Sequence, residues 1–526
     1  MTDGLTERDR EGIRTALRES PKVRRAVLFG SRALGTFRGA SDVDLALEGD
    51  DINLADLISL QAKIAKLDLP IEVDAIIRDK TNNPALEEHI KKFGQEWYRR
   101  GGGAAEGWTP CRLGDVVAIK HGFAFKGKHF TEDETSDVVV TPGNFAIGGG
   151  FQEGKPKYYT GPVPDEYVLH EGDLIVTMTD LSKAGDTLGY PALVPRSPSK
   201  RYLHNQRIGL VAIIDNAEVD KLFLFYRLRA SDYRHHVLAT ASGSTVRHTS
   251  PGRIYEFETT LPGIGEQRAI AGVLGALDDK IELNRRTSRT LEKLARAIFR
   301  AWFVDFEPVK AKAAGARSFP SMPQQAFDAL PTRLVPSELG PIPEGWEVKK
   351  VGDCITRHRV GKKYNQKTVL PTGNVPVLDQ GKSGIIGYHN DEPGVAASLK
   401  EPKIVFANHT CYMRLITFPF STIQNVLPFT GKGVDTIWIY YATLDIQPFI
   451  EYKGHWPDFV INEIVVPPRE FQTTFRTCIH PMIAKSEQVD RESRKLAALR
   501  DYLLPKLLSG EVRVGDADGF MGGRGL

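Results

Sequence analysis

The chain has 526 residues, 41% apolar and 26% charged, close to the globular average, so it can bury real cores and wholesale disorder is excluded. At about 150 residues per domain, this length predicts roughly three or four domains. Its 69 Lys+Arg and 66 Asp+Glu leave a net charge of +3, so a surface for a polyanion has to come from local clustering.

Cys111, Cys354, Cys411 and Cys478 form no CxxC pair, which argues against a zinc knuckle or a disulfide framework and for a reducing compartment. No run approaches 18 apolar residues, and the first twenty residues are charged, so a cytoplasmic protein with no membrane contact is expected.

In chain order, residues 1–100 predict a first unit, and the glycines and alanines of 101–106 a flexible linker after it. Residues 23–48 read VRRAVLFGSRALGTFRGASDVDLALE: an apolar strand runs into Gly30-Ser31, and Asp42-x-Asp44 opens the next strand. A third strand, 71–77, carries Asp74. Alternation places Asp42 and Asp44 on one face, where a neighbouring strand can add Asp74. Three carboxylates together repel unless divalent metal neutralises them, so Asp42, Asp44 and Asp74 are candidate metal ligands and catalytic acids. Two Mg²⁺ ions held there could serve nucleotidyl transfer from ATP or another NTP. Gly30 would let backbone approach the phosphates, and Ser31 would donate to them from a helix start. Turn-capping by Asp42 and Asp44 is the bland reading. Arg32 and Arg38 suit phosphate contact or plain surface solubility.

This segment resembles the minimal nucleotidyltransferases of the polymerase-beta-like superfamily. The resemblance implies an α/β domain in which Gly30 and Ser31 hold triphosphate, Asp42, Asp44 and Asp74 bind metal, and Asp74 also activates the acceptor hydroxyl. Members commonly act as adenylyltransferases, some as antitoxins that modify a HEPN-type protein, which leaves a protein or an RNA as the acceptor. A fused unit that only docks or regulates is the alternative.

Beyond the linker the chain repeats itself. Gly107-Trp108 followed by Gly114-Asp115 recurs as Gly345-Trp346 followed by Gly352-Asp353. Pro262, Gln267, Lys280, Leu291 and Leu294 recur at one constant offset as Pro467, Gln472, Lys485, Leu496 and Leu499. Two globular segments, 107–262 and 345–467, are therefore each followed by a helix, 263–306 and 468–510. A Pro-rich linker, 307–344, and a tail, 511–526, complete the division. The seam Ile270, Leu274, Leu277, Ile281, Asn284, Ser288, Leu291, Ala295 and Ile298 steps by fours and threes over about four heptads, and Phe475 to Leu507 keep that phase. Polar residues interrupt both seams near the middle, where they would fix register. Two helices zipped together and two helices each packed on its own domain both satisfy this pattern.

The duplicated region resembles the specificity subunit of Type I restriction-modification enzymes. The matching pieces are HGFAFKGKHF (121–130), EGDLIV (171–176), SGSTVRHTSP (242–251), LPGIGEQRAIAGVLGALDDKIELNRR (261–286), LGPIPEGWE (339–347) and LRDYLLPKLLSGEV (499–512). The resemblance implies two target recognition domains, each reading half of a split site in double-stranded DNA, and two long antiparallel coiled-coil spacer helices. The fold class is then multidomain α/β and α+β. It also implies partner methyltransferase (modification) and restriction (translocase/nuclease) subunits, with no cofactor and no catalysis in this region.

The candidate DNA contacts are local. Lys120, Lys126 and Lys128, with His121 and His129, surround Phe123 and Phe125: a basic cluster for phosphate, or a solvated loop over core phenylalanines. Ser242, Ser244, Thr245 and Arg247, with His248 and Thr249, suit backbone positioning or guanine readout, or a turn into the helix. In the second segment the candidates are Lys382, Ser383, Asn408 and Arg414, with Asn390 and His409. Lone histidines such as His204 and His455 are expected to be structural. An enzyme of the nucleotidyltransferase class, targeted by a DNA-binding region, is the alternative function.

Overall fold

The computed structural model describes residues 5–34, 37, 41–49, 51–67, 69–81, 83–99, 107–182, 184–381 and 384–514. Residues 1–276 with 500–526 form one compact unit and residues 277–499 another, so each long helix contributes to both.

The first hundred residues build an α/β layer: α1 (Glu7–Arg18), β1 (Val23–Phe29), α2 (Gly30–Leu34), β2 (Val43–Gly49), α3 (Leu54–Ala65), β3 (Val73–Ile77), α4 (Pro84–Phe93) and β4 (Gln95–Arg99). The sheet order is β3-β2-β1-β4; only the β2–β3 pair is parallel. Val23, Ala26 and Leu28 of β1 meet Ile13 and Leu17 of α1 and Leu60 and Ile64 of α3 in one apolar core. That core covers one face of the sheet and fixes the strand ends that carry the acids.

The two duplicated segments, called here the first module (107–262) and the second module (345–467), share one frame. In the first, Thr109–Arg112 pairs antiparallel with Glu258–Leu261, the strand that leads into the long helix. In the second, Glu347–Lys350 pairs antiparallel with Glu463–Val466 in the same position. Each module then holds a four-stranded antiparallel sheet. Its order is Pro191–Leu193, Leu174–Thr177, Ile208–Ile213, Val117–His121 in the first. The second has Met413–Ile416, Lys403–Ala407, Val426–Gly431, Ile355–Arg357 in the same order. A further sheet in each includes parallel pairing, Arg201–Leu203 with Asp137–Val139 in the first, and Ser421–Ile423 with both Val375–Leu378 and Lys363–Tyr364 in the second.

The repeated glutamine explains how a module is joined to its helix. Gln267 is buried; its Oε1 accepts from the Asp220 backbone N–H, and its Nε2 donates to the carbonyls of Pro262 and Glu218. Asp220 in turn caps the helix Lys221–Arg227. In the second module Gln472, also buried, accepts from Asp435 N–H and donates to the Pro467 carbonyl, and Asp435 caps Thr436–Thr443. The duplicated Pro and Gln are thus one clamp built twice.

The long helices, Ile264–Phe303 and Arg469–Leu508, have 40 residues each. Within residues 277–499 they touch at seam residues, where Ser288 and Ser486 share a hydrogen bond at 2.6 Å, and beside the seam, where Glu492 accepts from Asn284 Nδ2 at 3.0 Å and lies 3.6 Å from Lys280. Numbers rise on one helix as they fall on the other. Below that polar stretch Ala295, Ile298, Phe299 and Trp302 pack with Phe475 and Ile479. Within the other unit Glu266 pairs with Arg513, and Trp108 Nε1 donates to Glu266.

The Pro-rich stretch differs from the expected linker. It forms the short helices Glu307–Ala313 and Gln324–Ala329, and Val309, Phe327 and Leu330 are buried in the core of the second unit. Prolines cut helices short there, but the apolar residues between them still gain by leaving water. Among the described residues no helix is long and apolar enough to cross a membrane.

Replacing Gln267 or Gln472 with Leu keeps the volume and strands a buried backbone N–H. Each change is expected to cost about 1–3 kcal/mol, seen as a lower urea midpoint at unchanged slope.

Candidate functional site

The acids of the first hundred residues gather at one end of the sheet. Asp42 precedes β2 and Asp44 lies within it, and in the parallel pair Asp44 stands opposite Asp74 of β3. On its other side Asp44 faces Phe29, the last residue of β1, and the chain then turns at Gly30 with φ of 73°. A Cβ at Gly30 would stand 2.2 Å from a carboxylate oxygen of Asp44, so glycine is required both by the dihedral and by the neighbour. Ser31 follows in α2.

Burial, then the Asp74 and Asp42 carboxylates, push the Asp44 carboxyl above its ordinary range, while Arg32 offsets part of this. Arg32 corrects the sequence reading. It is 2% exposed, and its guanidinium donates to the Ser41 carbonyl at 2.9 and 2.6 Å and to the Asp42 carbonyl at 3.2 Å. It is spent on holding the loop that presents Asp42. Arg38 lies outside the described residues.

As placed, no three His, Cys, Asp or Glu side chains among the described residues are arranged to hold a metal ion. Asp42 sits on a loop, whereas Asp44 and Asp74 sit on strands, so the three do not close into a cage by strand geometry alone. Their chemistry nonetheless fits a hard divalent cation, because all are oxygen donors and their mutual repulsion is what such a cation relieves.

In the first module, Lys120 reaches Glu166 at 2.7 Å and stands 4.6 Å from the Tyr167 ring centroid. Lys126 and Lys128 are exposed on the turn Gly127–His129, over a cluster in which Phe123, Phe125, Phe130 and Tyr159 meet edge to face. Ser242 and Arg247 sit on the two sides of a hairpin whose exposed tip is Ser244 and Thr245. Arg247 and His248 also pair antiparallel with the short strand Thr179–Asp180, distant in sequence, and Ser242 accepts from Arg253. That partnership has no signal in the local sequence.

In the second module, Asn408 is a pin: its backbone carbonyl accepts from His455 N–H, and its side-chain oxygen from Trp456 N–H. The Arg414 guanidinium donates to the Gly384 carbonyl at 2.8 Å, and burial lowers its pKa. Asn390 accepts from Asn374 N–H. Lys382 and Ser383 lie outside the described residues.

Residues 11–101 match the family model described as Polymerase beta, Nucleotidyltransferase, and residues 105–293 match that of the Type I restriction modification DNA specificity domain. The MjaIX Type I restriction enzyme specificity subunit of Methanocaldococcus jannaschii is 26% identical over 332 residues, 58% of this chain and 72% of that one. The HindI specificity subunit of Haemophilus influenzae is 23% identical over 355 residues, 55% of this chain and 77% of that one. The chain thus joins a segment that matches the nucleotidyltransferase model to one that matches the Type I specificity domain. A crystal structure of a Type I system S subunit from M. genitalium aligns at a TM-score of 0.46 with 17% identity, over 76% of this chain and 96% of that one. The specificity-domain match ends at residue 293, and the likeness of the second module to the first stands on their common strand order.

Two histidines singled out in the sequence are packed inside. His455 is buried, with Nε2 bonded to the Glu451 carbonyl at 2.9 Å. His204 is also buried, its Nε2 bonded to the Ile208 carbonyl at 2.9 Å, and burial lowers its pKa. The unfolded chain then binds the proton more readily, so His204 contributes stability that is lost as pH falls through the unfolded value of about 6.5. Thermal melts between roughly pH 7.5 and 5 should show a decline that His204→Gln, which can still donate to Ile208, makes shallower.

Proposed function

We propose that this protein is the DNA sequence-specificity subunit of a Type I restriction-modification system, with a nucleotidyltransferase domain appended. The two modules act as target recognition domains for the two halves of a bipartite site in double-stranded DNA. The two long helices act as an antiparallel coiled-coil spacer that sets the distance between the half-sites. A helix of 40 residues is about 60 Å long, enough to bridge two major-groove faces. Modification subunits and restriction subunits are the partners that such a reader positions for methyl transfer and cleavage. One observation carries the reading: two modules with one strand order and unlike surfaces, each clamped by a buried glutamine to a helix that touches the other.

Methylome sequencing of cells with and without the chain tests it, and a split motif that loses methylation is the expected result. Deleting one heptad from both helices shortens each by about 10 Å, so the motif's spacer should contract by about three base pairs. Unchanged methylation sinks the proposal.

The acid cluster favours a second activity within the same chain, a Mg²⁺-dependent nucleotidyl transfer from ATP or another NTP to a protein hydroxyl. Asp42, Asp44 and Asp74 would hold the metal, and Gly30 and Ser31 the triphosphate. When bound, the cation supplies charge neutralisation to the phosphate oxygens. Arg32 keeps the Asp42 loop in place, and Asp74 would accept the proton of the acceptor hydroxyl as its oxygen bonds the α-phosphorus and pyrophosphate leaves. With labelled ATP and Mg²⁺, label transfer should disappear in Asp42→Ala and Asp44→Ala, while the methylated motif stays the same. No transfer by the unaltered protein on any cellular extract would leave the domain without this activity.

A further inference from the structure

The shared frame allows the two modules to be compared, and one edge common to both carries different side chains in each. In each, the loop after the second strand of the four-stranded sheet is tied to the segment that precedes the last short helix. In the first module Thr249 N–H donates to the Met178 carbonyl at 3.0 Å, two residues before Pro251 opens its helix. In the second, His455 N–H donates to the Asn408 carbonyl at 2.9 Å, two residues before Pro457. Met178 and Asn408 each follow directly on their strands, Leu174–Thr177 and Lys403–Ala407. The same bond therefore fixes the same two-loop edge twice.

What projects from that edge differs. The first module shows the polar hairpin tip Ser244 and Thr245, with Arg247 and His248 behind it. The second shows Phe449, Ile450 and Tyr452, which are 55%, 74% and 80% exposed. Two readers of different half-sites have to share a scaffold and differ where they read, and this edge is one place where that holds.

The geometry points to an apolar wedge: we infer that residues 449–452 of the second module insert between base pairs of its half-site, while the first module reads its half with the polar hairpin. This rests on the reading of both modules as DNA-recognition domains. Apolar side chains pushed between base steps unstack and kink a duplex, and aromatic rings stack on bases whatever their sequence.

The loop is built for that use. The Tyr452 ring lies on His409 with centroids 4.8 Å apart and planes 14° apart, so one face is supported and the other is open. His409 is held by Asn425 Nδ2 at 2.8 Å, by the Lys453 carbonyl at 2.9 Å, and through its own N–H by Gln380 at 3.0 Å. Phe449 packs edge-on against buried His455. The acids beside the tip do not oppose phosphates, because Lys453 stands 3.3 Å from both Glu451 and Asp458. Three large apolar side chains on one short, braced loop are exposed at a cost that a partner has to offset, and a base stack accepts them.

The test uses the full chain with its modification subunits and the bipartite site found by methylome sequencing. Duplexes carrying 2-aminopurine at successive positions report unstacking. The unaltered protein should raise fluorescence at a step in one half-site only, and Ile450→Ser or Tyr452→Ala should abolish that rise and weaken binding about tenfold or more. Tyr452→Phe should keep both. Arg247→Ala should instead relax discrimination in the other half-site. Thermal melts of Ile450→Ser matching the unaltered protein exclude misfolding, since the side chain lies in solvent. Binding to the split site with no fluorescence rise, or variants that bind as the parent does, overturns the wedge and leaves the recognition reading standing. No preference for any split site overturns both.

Discussion

A buried amide with several backbone partners is a stiff joint, because each partner lost inside the protein costs about 1–3 kcal/mol and no water waits to replace it. Gln267 and Gln472 are such joints. Each gathers three things at one point: the carbonyl of the proline that ends the module's last strand, the N–H of the aspartate that caps a helix within the module, and the first turn of a long helix. The direction in which a module hands its chain to the helix is thereby set by hydrogen bonds and not by a loop. The exposed loops at 242–248 and 449–452 can vary around that joint, since none of its hydrogen bonds involves them.

The helices themselves mix two kinds of contact. Phe299, Trp302, Phe475 and Ile479 supply apolar burial, while Asn284, Ser288 and Ser486 replace it with hydrogen bonds near the middle. A buried asparagine with its partner Glu492 cannot slide by one turn without losing that bond, so the polar stretch specifies register where leucines alone would tolerate slippage. The second helix also continues through Pro481 and Pro505, each of which removes one backbone bond. Buried Phe475 and Ile479 near the first, and Leu503 and Leu507 around the second, hold the helix to its course.

At the other end of the chemistry, the nucleotidyltransferase domain shows how a charged site is assembled against its own repulsion. A single glycine at φ 73° leaves room for Asp44, a parallel strand pair sets Asp74 beside it, and a buried arginine ties down the loop of Asp42. Burial first, and then the neighbouring Asp74 and Asp42 carboxylates, raise the Asp44 carboxyl above its ordinary range.

Much of this was legible in the chain itself. Gly30-Ser31 with Asp42, Asp44 and Asp74 announced the first domain because strand alternation has a period of two and acts locally. The repeated Pro, Gln and seam residues announced two modules and two helices because helical periodicity is also local. The sequence carried no sign that Arg32 turns inward, that the proline-rich stretch is packed in a core, or that Arg247 pairs with Asp180. Nor did it mark Phe449, Ile450 and Tyr452, since apolar residues in a row read as core until their neighbours are known. Those facts depend on which distant segments share a face, and only the folded chain brings such segments together.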